Sequence, residues 1–192
     1  MSQGRPAASE PGVGGRRRLL VAMLHTLAGP AAFGHLYRLA QEQPTEFHLM
    51  MPALRPDYGL TWTEAQVAKD ASDRLAMMLE FMGRAGLTAT GETRSESPPE
   101  ALDAVAHGPA GPFDGVVVIW RHRKYRHLFQ SKGERVEERL GIPVHAIRAD
   151  PPHRKSNIED TDELRTIFEE QARLRGWLPS GRGGETRPAD DD

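Results

Sequence analysis

One feature constrains this chain more than any other. Short uninterrupted apolar runs, each about one strand long, alternate with longer segments of helical periodicity. Leu19 to Leu24 and Val116 to Ile119 contain no polar side chain. A strand with one wet face alternates polar and apolar residues, so a run without alternation marks a strand buried on both faces. Phe47 to Met51, closed by Pro52, is a second short apolar run, interrupted by His48, and Pro143 to Ile147 reads as the last strand. Leu87 to Thr93 alternates and reads as an edge strand. Between these runs, Ala31–Gln43, Thr63–Gly86, Pro98–Ala106 and Gly133–Leu140 carry apolar residues at three- and four-residue steps. Strands that alternate with helices imply a mostly parallel sheet covered on both faces, a three-layer α/β fold with five strands.

Local signals set the helix ends. Thr61 or Thr63 can cap the long helix, and Glu64 suits the positive end of its dipole. Ala68, Ala71, Leu75, Met78, Leu79 and Met82 form its expected apolar stripe, and Gly86 ends it. Met77, Met78 and Met82 are expected in the core rather than in a cofactor box. Pro98 suits a first helical position, and Gly141 closes the fourth helix. After Asp150, Pro151-Pro152 opens a polar linker. Thr161 then caps a helix with Leu164, Ile167, Phe168, Gln171, Leu174 and Trp177 on one side. This helix is expected to dock on its own domain; a partner helix is the alternative. The organisation is therefore a disordered tail at 1–15, an α/β domain at 16–150, a linker and amphipathic helix at 151–178, and an acidic disordered tail at 179–192.

Composition removes several function classes. The 192 residues include no cysteine, which excludes a disulfide scaffold, an iron–sulfur cluster and a thiol nucleophile. No run approaches the roughly 18 apolar residues of a membrane span, so no membrane partner is expected. The net charge of -2 excludes a generally basic nucleic-acid coat. Arg16-Arg17-Arg18, the apolar run and Ala31-Ala32 have the order of an export signal. His25 interrupts that run, and Phe33, Leu36, Tyr37 and Leu39 continue a folded pattern. The run is therefore read as a strand and the protein as cytoplasmic.

Two further stretches carry a family resemblance. Ser97-Pro98-Pro99-Glu100-Ala101-Leu102 precedes Phe113-Asp114-Gly115-Val116-Val117-Val118. Gln130-Ser131-Lys132-Gly133-Glu134-Arg135-Val136 precedes Gly141-Ile142-Pro143-Val144. In this order, over roughly residues 16 to 150, the chain resembles the bacterial universal stress protein family. The resemblance implies the adenine-nucleotide alpha-hydrolase-like fold, a doubly wound sheet of order 3-2-1-4-5, homodimers and a regulatory or binding role in stress response. It also implies an ATP site, from which the chain departs. The family carries glycines after the fourth strand, where this chain reads Trp120-Arg121-His122-Arg123-Lys124-Tyr125-Arg126-His127, with no glycine until Gly133. Ser131 alone matches the phosphate motif, and His25-Thr26 replaces the aspartate that follows the first strand. The expectation is a degenerate nucleotide site: no cofactor is certain, and ATP or another nucleotide would bind without the glycine cradle.

In that strand order the switch point lies between the first and fourth strands, where open α/β sheets bind ligands. The candidate anion site is His25, Thr26, Trp120, Arg121, Arg123, Lys124, Arg126 and Ser131. Arg121 to Gly133 contains five basic side chains and no carboxylate, beside a helix start. Its ligand would be a phosphorylated small molecule, a nucleotide or a nucleic-acid backbone. The competing reading is a solvated basic loop balanced by Glu134, Glu137 and Glu138. Trp120 either stacks on a base or simply packs. The enzyme alternative is a nucleotide-dependent transferase or hydrolase at the same place, although no catalytic residue stands out. Phe33-Gly34-His35-Leu36 resembles the end of the His-x-Gly-His motif of nucleotidylyltransferases, with Ala32 at the first histidine's place. His122 and His127 fit no metal spacing, and His48 and His145 read as hydrogen-bonded strand residues.

Overall fold

A computed structural model describes residues 15–24, 30–54, 63–120, 133–148 and 161–178. Among these residues five strands and five helices follow one another: β1 (Arg17–Leu24), α1 (Pro30–Glu42), β2 (Thr45–Pro52), α2 (Glu64–Arg84), β3 (Thr88–Arg94), α3 (Pro98–Ala106), β4 (Gly115–Trp120), α4 (Gly133–Leu140), β5 (Val144–Arg148) and α5 (Thr161–Leu174). The strands form one parallel sheet in the order β3-β2-β1-β4-β5. The parallel, three-layer fold read from the alternation is therefore observed, with the doubly wound strand order that the resemblance implied. The terminal tails, the 151–160 linker and Thr61 lie outside the described residues.

The apolar runs behave as their composition requires. In β1 every residue from Leu19 to Leu24 is buried, as is all of β4. Successive side chains alternate between two cores. Val21, Met23, Phe47, Leu49, Met51, Val117 and Ile119 face α1, α2 and α5. Leu20, Ala22, Leu24, Met50, Val116, Val118 and Trp120 face α3 and α4. Each fully buried Leu, Val, Ile or Met contributes about 1.5–3 kcal/mol relative to exposure.

Two helix stripes differ from expectation in detail. In α2 the buried line is Val67, Ala71, Leu75, Met77, Met78, Phe81 and Met82, while Ala68 faces solvent. Larger Val67 takes the position where the first turn meets the sheet. Thr63 caps this helix in a capping box with Gln66: its Oγ1 accepts from the Gln66 backbone N–H at 3.2 Å, and Gln66 Oε1 accepts from the Thr63 N–H at 2.9 Å. At the other end of the chain Leu174 is 73% exposed, and among the described residues of this region Ala172 and Leu178 are buried. Trp177 packs against the core as the stripe predicts, and Leu174 departs from it; the chain turns at Gly176, where φ is +68°, and brings Trp177 and Leu178 onto the domain, while the side chains of Leu164, Ile167 and Phe168 lie outside the described residues.

That docking joins α5 to α1 and α2. The Trp177 ring centroid lies 5.3 Å from that of Phe33 and 6.5 Å from that of Tyr37. A Cβ on Gly34 would stand 2.5 Å from Trp177 Cζ2, so the glycine is what admits the indole. Arg84 pairs with Glu169 at 2.8 Å and Arg165 with Glu80 at 2.9 Å. Among the described residues no helix is long and apolar enough to cross a membrane.

Candidate functional site

Because all five strands are parallel, their carboxyl ends lie at one end of the molecule. The helix that follows β1, α1, lies on one face and α4, after β4, lies on the other, so the winding of the sheet reverses between these two neighbours. Open α/β sheets bind ligands in a crevice at such a switch point, which places the expected crevice at the ends of β1 and β4. The register brings Leu24 and Trp120, the last residues of the two strands, side by side.

Trp120 is the member of the expected site that the structure describes. Its ring packs on the α3–α4 side with Leu24, Ala22 and Val118, and it is 8% exposed. Its Nε1 is buried and has no hydrogen-bond acceptor among the described residues. An unmet buried donor costs about 1–3 kcal/mol. Tryptophan usually avoids this by turning its N–H to an acceptor or to water. Trp120 is the last residue of β4, at the carboxyl edge of the sheet. His25, Thr26, Arg121, Arg123, Lys124, Arg126 and Ser131 lie outside the described residues, as do His122 and His127. What the structure brings together is the pair of strands, β1 and β4, that these residues follow in the chain.

The histidine-bearing start of α1 has another role than the transferase motif it resembles. Gly34 is the seat of Trp177. Burial first, then the charges of Arg38 and of His145 on β5, hold the His35 imidazole below the usual value, and Glu42 opposes them. His145 is opposite Val117, three residues short of the carboxyl edge, so the His35–His145 region is not at the crevice.

A polar chain that sequence reading underestimated runs across the α3 side of β2 and β3. The His48 Nδ1 lies 2.9 Å from Thr90 Oγ1 and Nε2 lies 3.2 Å from Glu92 Oε1. Glu92 continues to Arg94 at 3.4 Å, and Arg94 to Glu96 at 2.8 Å. His48 is hydrogen-bonded as expected, but its partners come from the neighbouring strand, which only the register reveals. At the opposite, amino-terminal end, a cleft of about 170 Å³ is lined by Arg16, Gln41, Pro44, Thr45, Leu87 and Thr88. Among the described residues no group of three or more metal-ligating side chains comes together.

No family model matches the chain, and no curated protein matches it. A solved structure that it resembles is a dodecameric FMN-dependent Ubix-like decarboxylase from Escherichia coli O157:H7, at 15% identity and a TM-score of 0.37, covering 81% of this chain and 76% of that one. This corrects the resemblance to universal stress proteins. The short matches around Ser97 and Ser131 follow from the element order, since proline-led helices and Gly-Ile-Pro strand entries serve any parallel α/β sheet. The regulatory stress-module reading that rested on the resemblance falls with it.

Proposed function

We propose that the crevice at the carboxyl ends of β1 and β4 binds a small phosphorylated heterocycle. The observation that carries this reading is the buried Trp120 N–H, which has no acceptor among the described residues, at the end of the strand beside the switch point. A ring nitrogen or carbonyl of the ligand would accept from it and remove the cost of leaving it unmet. The basic residues Arg121, Arg123, Lys124 and Arg126, which follow Trp120 directly in the chain, supply counter-charge for a phosphate. His25, Thr26 and Ser131 are the remaining polar residues assigned to the site.

The test is calorimetry of the full chain with three probes: flavin mononucleotide, adenosine monophosphate and inorganic phosphate. The expected result is binding of at least one ring-bearing probe, stronger than that of phosphate alone. The double variant Arg121→Ala, Arg123→Ala should weaken it by about 1–3 kcal/mol, and less as salt rises. Equal binding of all three probes, or none, would defeat the proposal.

A further inference from the structure

β3 is an edge strand, and its outer edge has a definite pattern of donors and acceptors. The Ala53 N–H donates to the Arg94 carbonyl at 2.6 Å, so Arg94 turns its backbone toward β2. In a parallel ladder a residue's N–H and C=O point the same way, and alternate residues point oppositely. Ala89, Gly91 and Thr93 therefore direct their backbone groups outward, where no described strand pairs with them. No described helix lies across this edge: α2 packs on one face of β3, and α3 turns away over β1 and β2.

Edges of this kind are usually blunted by scattered charge. Here the charges have an order that is complementary to itself. Glu92, Arg94 and Glu96 share the α3 side, at two-residue spacing. A two-fold axis through Thr93 would pair two copies antiparallel. Thr93 would exchange both backbone hydrogen bonds with its own copy, and Gly91 would do so with Ser95. Glu92 would then face Arg94 of the other copy, twice. The outward-pointing residues fall on the hydrogen-bonded positions of this register and the charged residues on the closely spaced positions between them. Arg94 also keeps its Nε without an acceptor among the described residues. We infer that β3 is a homodimer interface, with a second copy of this chain pairing antiparallel about Thr93 to give a continuous ten-stranded sheet.

Sedimentation velocity of the full chain tests this through charge reversal. The parent is expected to be a dimer in the micromolar range. Glu92→Arg and Arg94→Glu should each place like charges opposite one another and weaken the dimer by about tenfold or more. Mixing the two variants should restore a heterodimer. The Glu92→Arg chain is basic at both positions and the Arg94→Glu chain is acidic at both, so opposite charges face each other again. Thr93→Pro provides an independent variant: it deletes an outward N–H that the ladder with β2 does not use, and it should also give monomers with an unchanged circular dichroism spectrum. A monomeric parent, variants that dimerise as the parent does, or a mixture that stays monomeric would each overturn the inference.

Discussion

Replacing Trp120 with phenylalanine deletes the indole N–H but keeps an aromatic ring in the same core. In the free protein two effects oppose each other: the smaller ring loses packing, and the unmet donor disappears. Thermal unfolding should therefore shift little, while affinity for the ring-bearing ligand should fall by about 1 kcal/mol, roughly fivefold. A variant that unfolds much earlier would show that Trp120 only packs. His35 gives a pH signature. Its pKa is lowered in the folded state, chiefly by burial, so on acidification the unfolded chain takes up the proton first. Its contribution to stability is complete above the unfolded value near 6.5 and is lost as pH falls through the lower folded value. Denaturant midpoints measured from about pH 8 to pH 5 should fall more steeply for the parent than for His35→Gln. Gly34→Ala adds a methyl 2.5 Å from a rigid ring. Overpacking costs about 1–3 kcal/mol, and the better helix propensity of alanine returns about 1 kcal/mol of that. A modest net loss is expected, with red-shifted Trp177 emission as the docked indole meets water.

Among the elements, α2 was the most legible in sequence and α5 the least. α2 has a capping residue, an acid in its first turn and a long apolar line, and all three are local signals. Thr63→Ala should cost about 1 kcal/mol in chemical denaturation, since the Gln66 backbone N–H loses its acceptor while the backbone N–H of residue 63 can still donate to Gln66 Oε1. In α5 the expected Trp177 contact is present, but the sequence did not show that Leu174 would face solvent and that Ala172 and, after the turn at Gly176, Leu178 would be buried. The sheet order became legible only through a resemblance that did not hold, although the order itself did; the alternation alone fixes a parallel sheet, not its permutation. At the crevice, composition pointed to the basic residues after β4. The unpaired Trp120 N–H could not be read from sequence, because hydrogen-bond satisfaction depends on which face of β4 the ring occupies. The same is true of His48, whose Thr90 and Glu92 partners lie more than forty residues away.

For the whole molecule, the parallel sheet separates two ends with different work. The amino-terminal end of β1 is tied by polar contacts to the segments around it: Arg17 Nη2 donates to the Leu39 carbonyl of α1 at 2.7 Å, and Arg18 Nη2 donates to the Ala110 carbonyl, between α3 and β4, at 2.7 Å. The carboxyl ends hold Trp120 and the proposed ligand crevice. α5 closes the α1–α2 side through Ala172 and Leu178, with surface ion pairs of the kind that contribute about 0–1 kcal/mol each. Most of its hold is therefore apolar. Truncation after residue 160 should lower the melting temperature and raise binding of a hydrophobic dye, whereas Arg84→Ala with Arg165→Ala should change either only slightly.

The central position of β1 has a consequence for how the chain is made. β1 is the first strand to leave the ribosome, yet one of its two neighbours, β4, follows much later: the backbone N–H of Arg18 is bonded to an Asp114 side chain 96 residues downstream. At about 5–20 residues per second, that interval lasts roughly 5–20 s. β2 and β3 can align on one flank of β1 during this time, but its other flank, apolar on both faces, waits uncovered until Gly115–Trp120 appears. The nascent half-sheet should therefore be the species that needs a chaperone, and translation slowed between residues 50 and 115 should lower the yield of folded protein more than the same delay placed after residue 150.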